Sequence, residues 1–221
     1  MPAPGAGLTA DPARCRMPAA ERRAALVDAA LGVFSEGSYD GATTADIARA
    51  AGVSEPILYR HFGSKRDLYF ACLDEMWRRS REEVERIVAA EPDPREWLFA
   101  MPRAILKLRE RGIHPNQLWI QALSEAGEDA ETRKYVRRHM REVHRFIEDL
   151  YRRAQAAGGL PANRDPAAEA WIGIGIGLLR SVQDRLGGLL TPDDFAAILA
   201  ARRRSLVDSA ADEPARVAER S

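Results

Sequence analysis

The chain has 221 residues, of which 46% are hydrophobic, so it can bury a substantial core and lacks the composition of a disordered protein. Its 33 Lys and Arg residues balance 33 Asp and Glu residues, so bulk charge gives no support for binding to nucleic acid. Any such function therefore has to depend on where individual charges lie.

Residues that favour helices dominate the sequence, and Val, Ile and Thr do not recur in short alternating runs. We therefore predict an all-α fold of about nine helices. Residues 1–19 and 209–221 lack apolar periodicity, and we predict that both are disordered tails. Between them we predict a small domain at 20–66 and a larger domain at 67–208.

The helices of the small domain have clear sequence signals. A helix over about 20–36 carries an apolar stripe that includes Phe34. Thr43 and Asp46 have the spacing of a capping box, which indicates the start of a short second helix. A third short helix follows. Ser64 then begins a long fourth helix, which extends to about residue 90.

Five further helices are predicted in the larger domain. The first covers about 95–110 and contains Pro102, where we expect a kink. The others are separated by Gly- and Pro-containing breaks and cover about 112–127, 129–157, 165–186 and 191–208.

Residues 43–66 have the organisation of a helix-turn-helix, in which two short helices are joined by a tight turn. Gly52 lies at the turn, where it can adopt a left-handed backbone conformation. Ile47, Leu58 and Phe62 are predicted to hold both helices against the first helix. The second short helix, which begins at Ser54, is then free to enter the major groove of DNA.

The exposed face of that helix and the neighbouring helix N-termini offer groups suited to DNA. Side chains suited to phosphate contacts are Thr44, Tyr59, His61 and Lys65. Glu55 can accept a hydrogen bond from a cytosine amino group, and Arg60 can reach a guanine or a phosphate. The full set of predicted DNA-binding residues is Thr43, Thr44, Ser54, Glu55, Pro56, Tyr59, Arg60, His61 and Lys65.

This segment resembles the DNA-binding region of the TetR family of bacterial regulators. The residues that carry the resemblance are Asp46-Ile47-Ala48, Ala51-Gly52-Val53-Ser54, Leu58-Tyr59-Arg60-His61-Phe62 and Ser64-Lys65. The likeness covers about residues 20–75, and Pro56 departs from it because the family often has Gly or another small residue there. It implies a homodimer on a pseudo-palindromic operator in double-stranded DNA, with a ligand pocket and a dimer interface in the C-terminal helices.

The predicted helix over 165–186 contains an apolar run from Trp171 to Leu179 that includes three glycines. Glycine weakens a helix by roughly 1 kcal/mol relative to alanine, and close approach of another backbone can offset this. We predict that this helix and the last one form the dimer interface, although a core helix would show the same pattern. The candidates are Gly173, Ile176, Gly177, Arg180, Phe195 and Leu199. A nucleotide-binding loop is not indicated, because no strand precedes the glycines.

Large side chains on the C-terminal helices are candidates for a ligand pocket, although each also fits an ordinary core. These candidates are Trp97, Met101, Trp119, His139 and Trp171. His139 would supply a polar group, and we expect a small-molecule effector that is largely apolar. A cluster that we interpret as a solvated face consists of Arg137, Arg138, Arg141 and Arg145.

The leading hypothesis is a repressor that a small molecule releases from its operator. The alternative is a DNA-binding regulator without small-molecule input, such as an activator or a partner-controlled regulator. A cavity in the C-terminal domain would favour the first, and a solid core the second. An enzyme is a remote third possibility, because catalytic motifs are missing and His139 and His144 point in different directions on a helix. No cofactor or metal is expected.

The two cysteines, Cys15 and Cys72, imply no disulfide framework, which fits a reducing cytoplasm. The first 20 residues lack the apolar segment of a signal peptide. The apolar run from Trp171 is shorter than the ~20 residues that cross a bilayer. We therefore expect a cytoplasmic protein with no membrane association.

Overall fold

A computed structural model describes residues 18–207, and this part of the chain forms ten α-helices and no strand. The helices are α1 (Ala19–Glu36), α2 (Thr44–Ala50), α3 (Glu55–His61), α4 (Lys65–Ala90), α5 (Pro94–Trp97), α6 (Ala100–Glu110), α7 (Pro115–Glu128), α8 (Ala130–Ala156), α9 (Pro166–Leu186) and α10 (Pro192–Val207). The predicted all-α fold is confirmed. Cys15, residues 1–17 of the first predicted tail and the whole second tail lie outside the described residues.

The structure has one helix more than predicted, because the single helix expected over 95–110 is two helices, α5 and α6. The chain leaves the helical path at Leu98 and Phe99, so the kink expected at Pro102 is wrong in position. A proline ring clashes with the carbonyl four residues earlier, which here belongs to Leu98. That carbonyl instead accepts a hydrogen bond of 3.1 Å from the Tyr151 hydroxyl.

Both predicted capping interactions are present, one at the start of α2 and one at the start of α4. The Asp46 N–H donates to Thr43 Oγ1 at 3.1 Å, and the Asp67 N–H donates to Ser64 Oγ at 3.1 Å. These bonds satisfy backbone donors that the first turn of a helix leaves unpaired. The starts of α2 and α4 are therefore fixed by neighbouring residues alone.

Two clusters of buried side chains form the core. The first joins α1–α3 and the first half of α4 to α7 and the start of α8, and it includes Leu118 and Tyr135. The second joins the later part of α4 to α5, α6, α8, α9 and α10, and it includes Leu150 and Leu206. Because the first cluster crosses the predicted boundary at 66/67, residues 20–66 pack directly on residues of the predicted larger domain. None of the helices within residues 18–207 is both long and apolar enough to cross a membrane.

Candidate nucleic-acid interface

The turn between α2 and α3 has the predicted geometry. Gly52 has φ +64°, the left-handed conformation that side chains disfavour. The Val53 N–H donates to the Ala48 carbonyl at 2.9 Å and closes the turn. Ile47 and Leu58 are fully buried, and Phe62 lies beneath the Arg23 guanidinium at 4.7 Å from the ring centre. The two helices are therefore held against α1, as predicted.

Three predicted DNA-binding residues contact one another across α2 and α3. Thr44 Oγ1 donates to Glu55 Oε1 at 2.5 Å and lies 3.2 Å from the Tyr59 hydroxyl. Tyr59 is 49% exposed, so its ring and hydroxyl remain accessible to a partner. The Glu55 carboxylate already has a partner, so to read a cytosine it would have to share or exchange the bond from Thr44.

Lys65 lies at the start of α4 beside the loop that precedes α2. Its Nζ is 3.4 Å from the Asp40 carbonyl oxygen and 4.5 Å from the centre of the Tyr39 ring. These contacts hold the α4 N-terminus against the loop that precedes α2. The positively polarised N-terminus of α4 and the Lys65 ammonium then lie together, an arrangement suited to phosphate.

The remaining predicted DNA-binding residues differ in accessibility. Ser54, Pro56 and Arg60 are exposed, and His61 is half-buried. The Thr43 hydroxyl donates to Asp46 Oδ2 at 2.5 Å, so its part in the structure is helix capping. Thus Tyr59, Arg60 and the neighbouring exposed residues of α3 form the surface that is open to a partner.

Contacts between α1 and α7 connect this surface to the larger domain. Gln121 Nε2 donates to the Gly37 carbonyl at 3.0 Å, and Gln117 Nε2 donates to the Ser35 carbonyl at 2.6 Å. The Tyr69 hydroxyl of α4 donates to the Leu118 carbonyl at 2.7 Å. Sequence reasoning missed all three residues, because no local pattern indicates a bond between residues 49 to 84 positions apart.

The five predicted ligand-binding residues lie in three separate places. Trp119 and His139 contact each other, with ring centres 4.4 Å apart. Trp97 and Met101 pack against the second core cluster, and the Trp97 Nε1 donates to the Glu91 carbonyl at 2.9 Å. Trp171 is exposed and stacks on His144 at 4.3 Å. The structure of the described residues therefore does not bring these candidates together in one site.

His139 is 1% exposed and lies among aromatic rings. Its Nε2 is buried without a hydrogen-bond partner among the described residues, and its Nδ1 is 4.0 Å from Asp74 Oδ1. Burial lowers the pKa of His139 to about 4, although Asp74 opposes this shift. Trp77, which the sequence did not indicate as a site residue, contributes a ring 6.0 Å away. The imidazole is thus neutral near pH 7 and has an unused polar atom.

The surface predicted to form the dimer interface is partly apolar and exposed. Trp171, Ile172 and Leu186 of α9 are 48%, 47% and 67% exposed. Gly177 has open space where a side chain would stand, whereas Gly173 faces the Tyr151 hydroxyl of its own chain at 3.1 Å. The other candidates lie on α9 and α10, where the Arg180 guanidinium is 5.1 Å from the Phe195 ring centre and Ile176 and Leu199 are half-buried.

Two family models match the chain. Residues 26–72 match the model described as bacterial regulatory proteins of the tetR family. Residues 94–173 match the C-terminal part of the BetI-type transcriptional repressor. The first match contains the helix-turn-helix, and the second runs from α5 into α9.

The chain is 31% identical over 152 residues to the HTH-type transcriptional regulator BetI of Burkholderia ambifaria, covering 64% of this chain and 77% of that protein. Three other curated regulators, BetI of Rhizobium meliloti, FasR of Mycolicibacterium smegmatis and BetI of Agrobacterium fabrum, match over 43% to 57% of their own length, so the chain spans about half of those relatives.

Solved structures extend the comparison to the fold. A TetR-family regulator from Rhodococcus sp. superposes with a TM-score of 0.74 at 22% identity, covering 85% of this chain and 99% of that one. AibR, solved with isovaleryl coenzyme A and operator DNA, gives a TM-score of 0.58 at 25% identity, with 84% and 97% covered. The chain therefore belongs to the TetR family of bacterial regulatory proteins.

Proposed function

We propose that the protein is a homodimeric transcriptional repressor that binds a pseudo-palindromic operator in double-stranded DNA and is released by a small molecule. The observation that carries this proposal is the attachment of the α2–α3 surface to α7 through α1. Tyr59 and Arg60 are exposed and open to DNA, while Gln117 and Gln121 of α7 bind the C-terminal end of α1. Movement of α7 would therefore reorient the DNA-binding surface.

The effector would act at Trp119 and His139, which lie on α7 and α8. Trp119 is the direct neighbour of Leu118, whose carbonyl accepts the bond from Tyr69. A ligand that displaces the Trp119 ring would shift α7 and change the spacing of the two DNA-binding domains. It does so only if it binds the two arrangements with different affinity.

The chemistry around His139 indicates what such a ligand would carry. A buried polar atom without a partner costs roughly 1–3 kcal/mol. If the imidazole keeps its proton on Nδ1, which faces Asp74, then Nε2 accepts a hydrogen bond from the ligand. The surrounding rings favour an otherwise apolar effector. AibR, with its bound coenzyme A thioester and operator DNA, supports the coupling of both partners on this fold.

One observation favours the alternative of a regulator without small-molecule input. The rings of Trp77, Trp119 and Tyr135 all lie within 6.0 Å of His139 and fill the space around it. A core that stays filled would leave no room for an effector at this position. DNA binding would then be controlled by a protein partner or by the concentration of the regulator itself.

The dimer would use the exposed apolar face of α9 together with α10. Association buries Ile172 and Leu186, and the open space at Gly177 allows a partner helix to approach closely. Two-fold symmetry then presents two copies of α3 to two half-sites. A regulator of bacterial transcription works where the chromosome lies, so we place the protein in the cytoplasm.

The test is selection of bound duplexes from a random DNA pool with the full chain, alongside light scattering to measure its mass. We expect a dimer and an enriched pseudo-palindrome. The variant Tyr59→Ala/Arg60→Ala, which changes only exposed residues, should keep the dimer and lose the enrichment. Absence of enrichment with the wild-type chain, or enrichment of a single half-site by a monomer, would reject the proposed dimeric repressor.

The recovered operator then serves to screen compounds for release. The variant His139→Phe should bind the operator like the wild-type chain but respond to no releasing compound. A compound that releases both chains equally acts elsewhere, and failure of a broad screen favours the regulator without small-molecule input.

A further inference from the structure

The exposed side of α8 carries a continuous stripe of positive charge. It lines a surface groove of about 780 Å³ together with Ala130 and His144. The six residues of this stripe, which we call the α8 cationic stripe, are Arg133, Lys134, Arg137, Arg138, Arg141 and Arg145. All six are exposed. This concentration contrasts with a chain whose formal net charge is zero.

None of the six stripe cations forms an ion pair with a carboxylate among the described residues. The Arg133 guanidinium donates to the carbonyls of Ala126 and Gly127, and Arg138 lies over the Tyr135 ring at 5.0 Å. Elsewhere on the same helix Arg152 pairs with Glu148 at 2.5 Å, and Arg153 pairs with Glu85 at 2.9 Å. Within residues 18–207, the positive charge of the stripe is therefore not neutralised by ion pairs, whereas the later arginines Arg152 and Arg153 of α8 have carboxylate partners.

The spacing of the stripe makes its members repel one another. Residues four positions apart are neighbours on a helix surface, and like charges at that spacing destabilise the helix. The stripe contains four such pairs, at positions 133/137, 134/138, 137/141 and 141/145. A multivalent anion in the groove would offset this repulsion, because it attracts several of the cations at once.

We propose that the α8 cationic stripe binds a small molecule that carries two or more phosphate groups. Guanidinium groups match phosphate oxygens in a bidentate geometry. The stripe rises about 18 Å along the helix, enough for several phosphates. The groove volume lies within the ~300–1,000 Å³ of small-molecule sites. The stripe shares no residue with the surface at α3, and the inference does not depend on the proposed release mechanism.

The experiment measures binding of inorganic tripolyphosphate to the full chain by calorimetry, with sodium sulfate at equal ionic strength as the reference. The test variant is Arg137→Gln/Arg141→Gln. The control variant, Arg152→Gln/Arg204→Gln, makes the same change in charge at exposed sites outside the groove. We expect saturable binding in the wild-type and control chains, weakened at least tenfold in the test variant.

Thermal unfolding supplies a second measurement that separates binding from folding. The test variant loses like-charge neighbours, so its Tm should be equal to or above that of the wild-type chain. Tripolyphosphate should raise the Tm of the wild-type and control chains and leave that of the test variant unchanged. Equal binding by the test and control variants would overturn the proposal. So would weaker DNA binding by the test variant with unchanged tripolyphosphate affinity, because the stripe would then be a DNA contact.

Discussion

The loop after α8 approaches the start of α5 so closely that one residue has no room for a side chain. A Cβ on Gly159 would lie 2.4 Å from the Pro94 carbonyl carbon, and the Gly159 N–H is bonded to the Ala154 carbonyl at 2.7 Å. Gly159→Ala should therefore lower the free energy of unfolding by about 1–3 kcal/mol, because two backbones must separate.

Urea unfolding followed by circular dichroism measures this change. Gly127→Ala is the matched control, because a Cβ there meets nothing within 4 Å and alanine favours the helix. The control should be neutral or slightly stabilising. Equal loss of stability in the two variants would show that the contact with Pro94 is unimportant.

Lys65 contacts the loop before α2 and is also expected to contact a DNA phosphate. Lys65→Ala should weaken binding to every DNA sequence and reduce the salt dependence of log K by about one unit, because one phosphate contact is lost. Fluorescence anisotropy over a series of salt concentrations measures both quantities. Arg204→Ala, which removes an exposed charge on α10, should change neither. A loss restricted to one sequence would instead assign base recognition to Lys65.

At the scale of elements, α7 is one connection, beside α4, between the DNA-binding surface and the larger domain. Gln121 is 6% exposed and bonded to the Gly37 carbonyl. Gln121→Leu removes the donor and leaves that carbonyl without this partner. Hydrogen exchange measured by mass spectrometry should then become faster at the end of α1, in peptides covering about residues 33–42.

Gln183→Leu is the matched control for this prediction. Gln183 also holds a loop through its side-chain amide, which donates to the Leu190 carbonyl at 2.7 Å, but it lies on α9. Its substitution should speed exchange near residue 190 and leave residues 33–42 unchanged. If both variants or neither affected the end of α1, then Gln121 would not connect the two parts.

The largest discrepancy between prediction and structure also belongs to this scale. The residues of α5 and α6 form one apolar helical pattern, and their separation depends on where the Leu98 carbonyl finds a partner. That partner is the Tyr151 hydroxyl, 53 residues away. The proline indicated a disturbance, but the position of the break needed the packing of α8 against α5.

For the whole molecule, burial of His139 makes stability depend on pH. The folded pKa of about 4 lies below the ordinary 6.5, so the unfolded chain takes up the proton first as the pH falls. The titration of His139 should thus leave the free energy of unfolding unchanged above about pH 6.5. That free energy should decrease between pH 6.5 and 4, with this residue contributing about 3 kcal/mol. The charges of Asp74 and Glu142 favour the protonated form of His139, whereas those of Arg138 and Arg81 disfavour it.

Unfolding midpoints in urea across this pH range test the effect. His139→Phe should flatten the decrease, because phenylalanine fills the aromatic site and does not titrate. His114→Phe, at an exposed position before α7, should keep the wild-type slope. Parallel pH profiles for the wild-type chain and His139→Phe would show that other groups cause the decrease.

The sequence by itself determined the all-α fold, most helix limits and the helix-turn-helix. These features depend on neighbours in the chain: Thr43 and Ser64 cap helices three residues ahead, and Gly52 takes the turn conformation that its missing side chain permits. The positions of Ile47, Leu58 and Phe62 followed from helical periodicity for the same reason.

Only the tertiary structure decided which residues that are far apart in the sequence contact one another. It placed Trp77 and Trp119 around His139, joined Gln121 to the end of α1, and separated Trp97 and Met101 from the other ligand candidates. It also left the α8 cationic stripe without carboxylate partners among the described residues, whereas Arg152 and Arg153 of the same helix have them. Such relations depend on which helix faces which, and periodicity identifies a buried face without identifying what covers it.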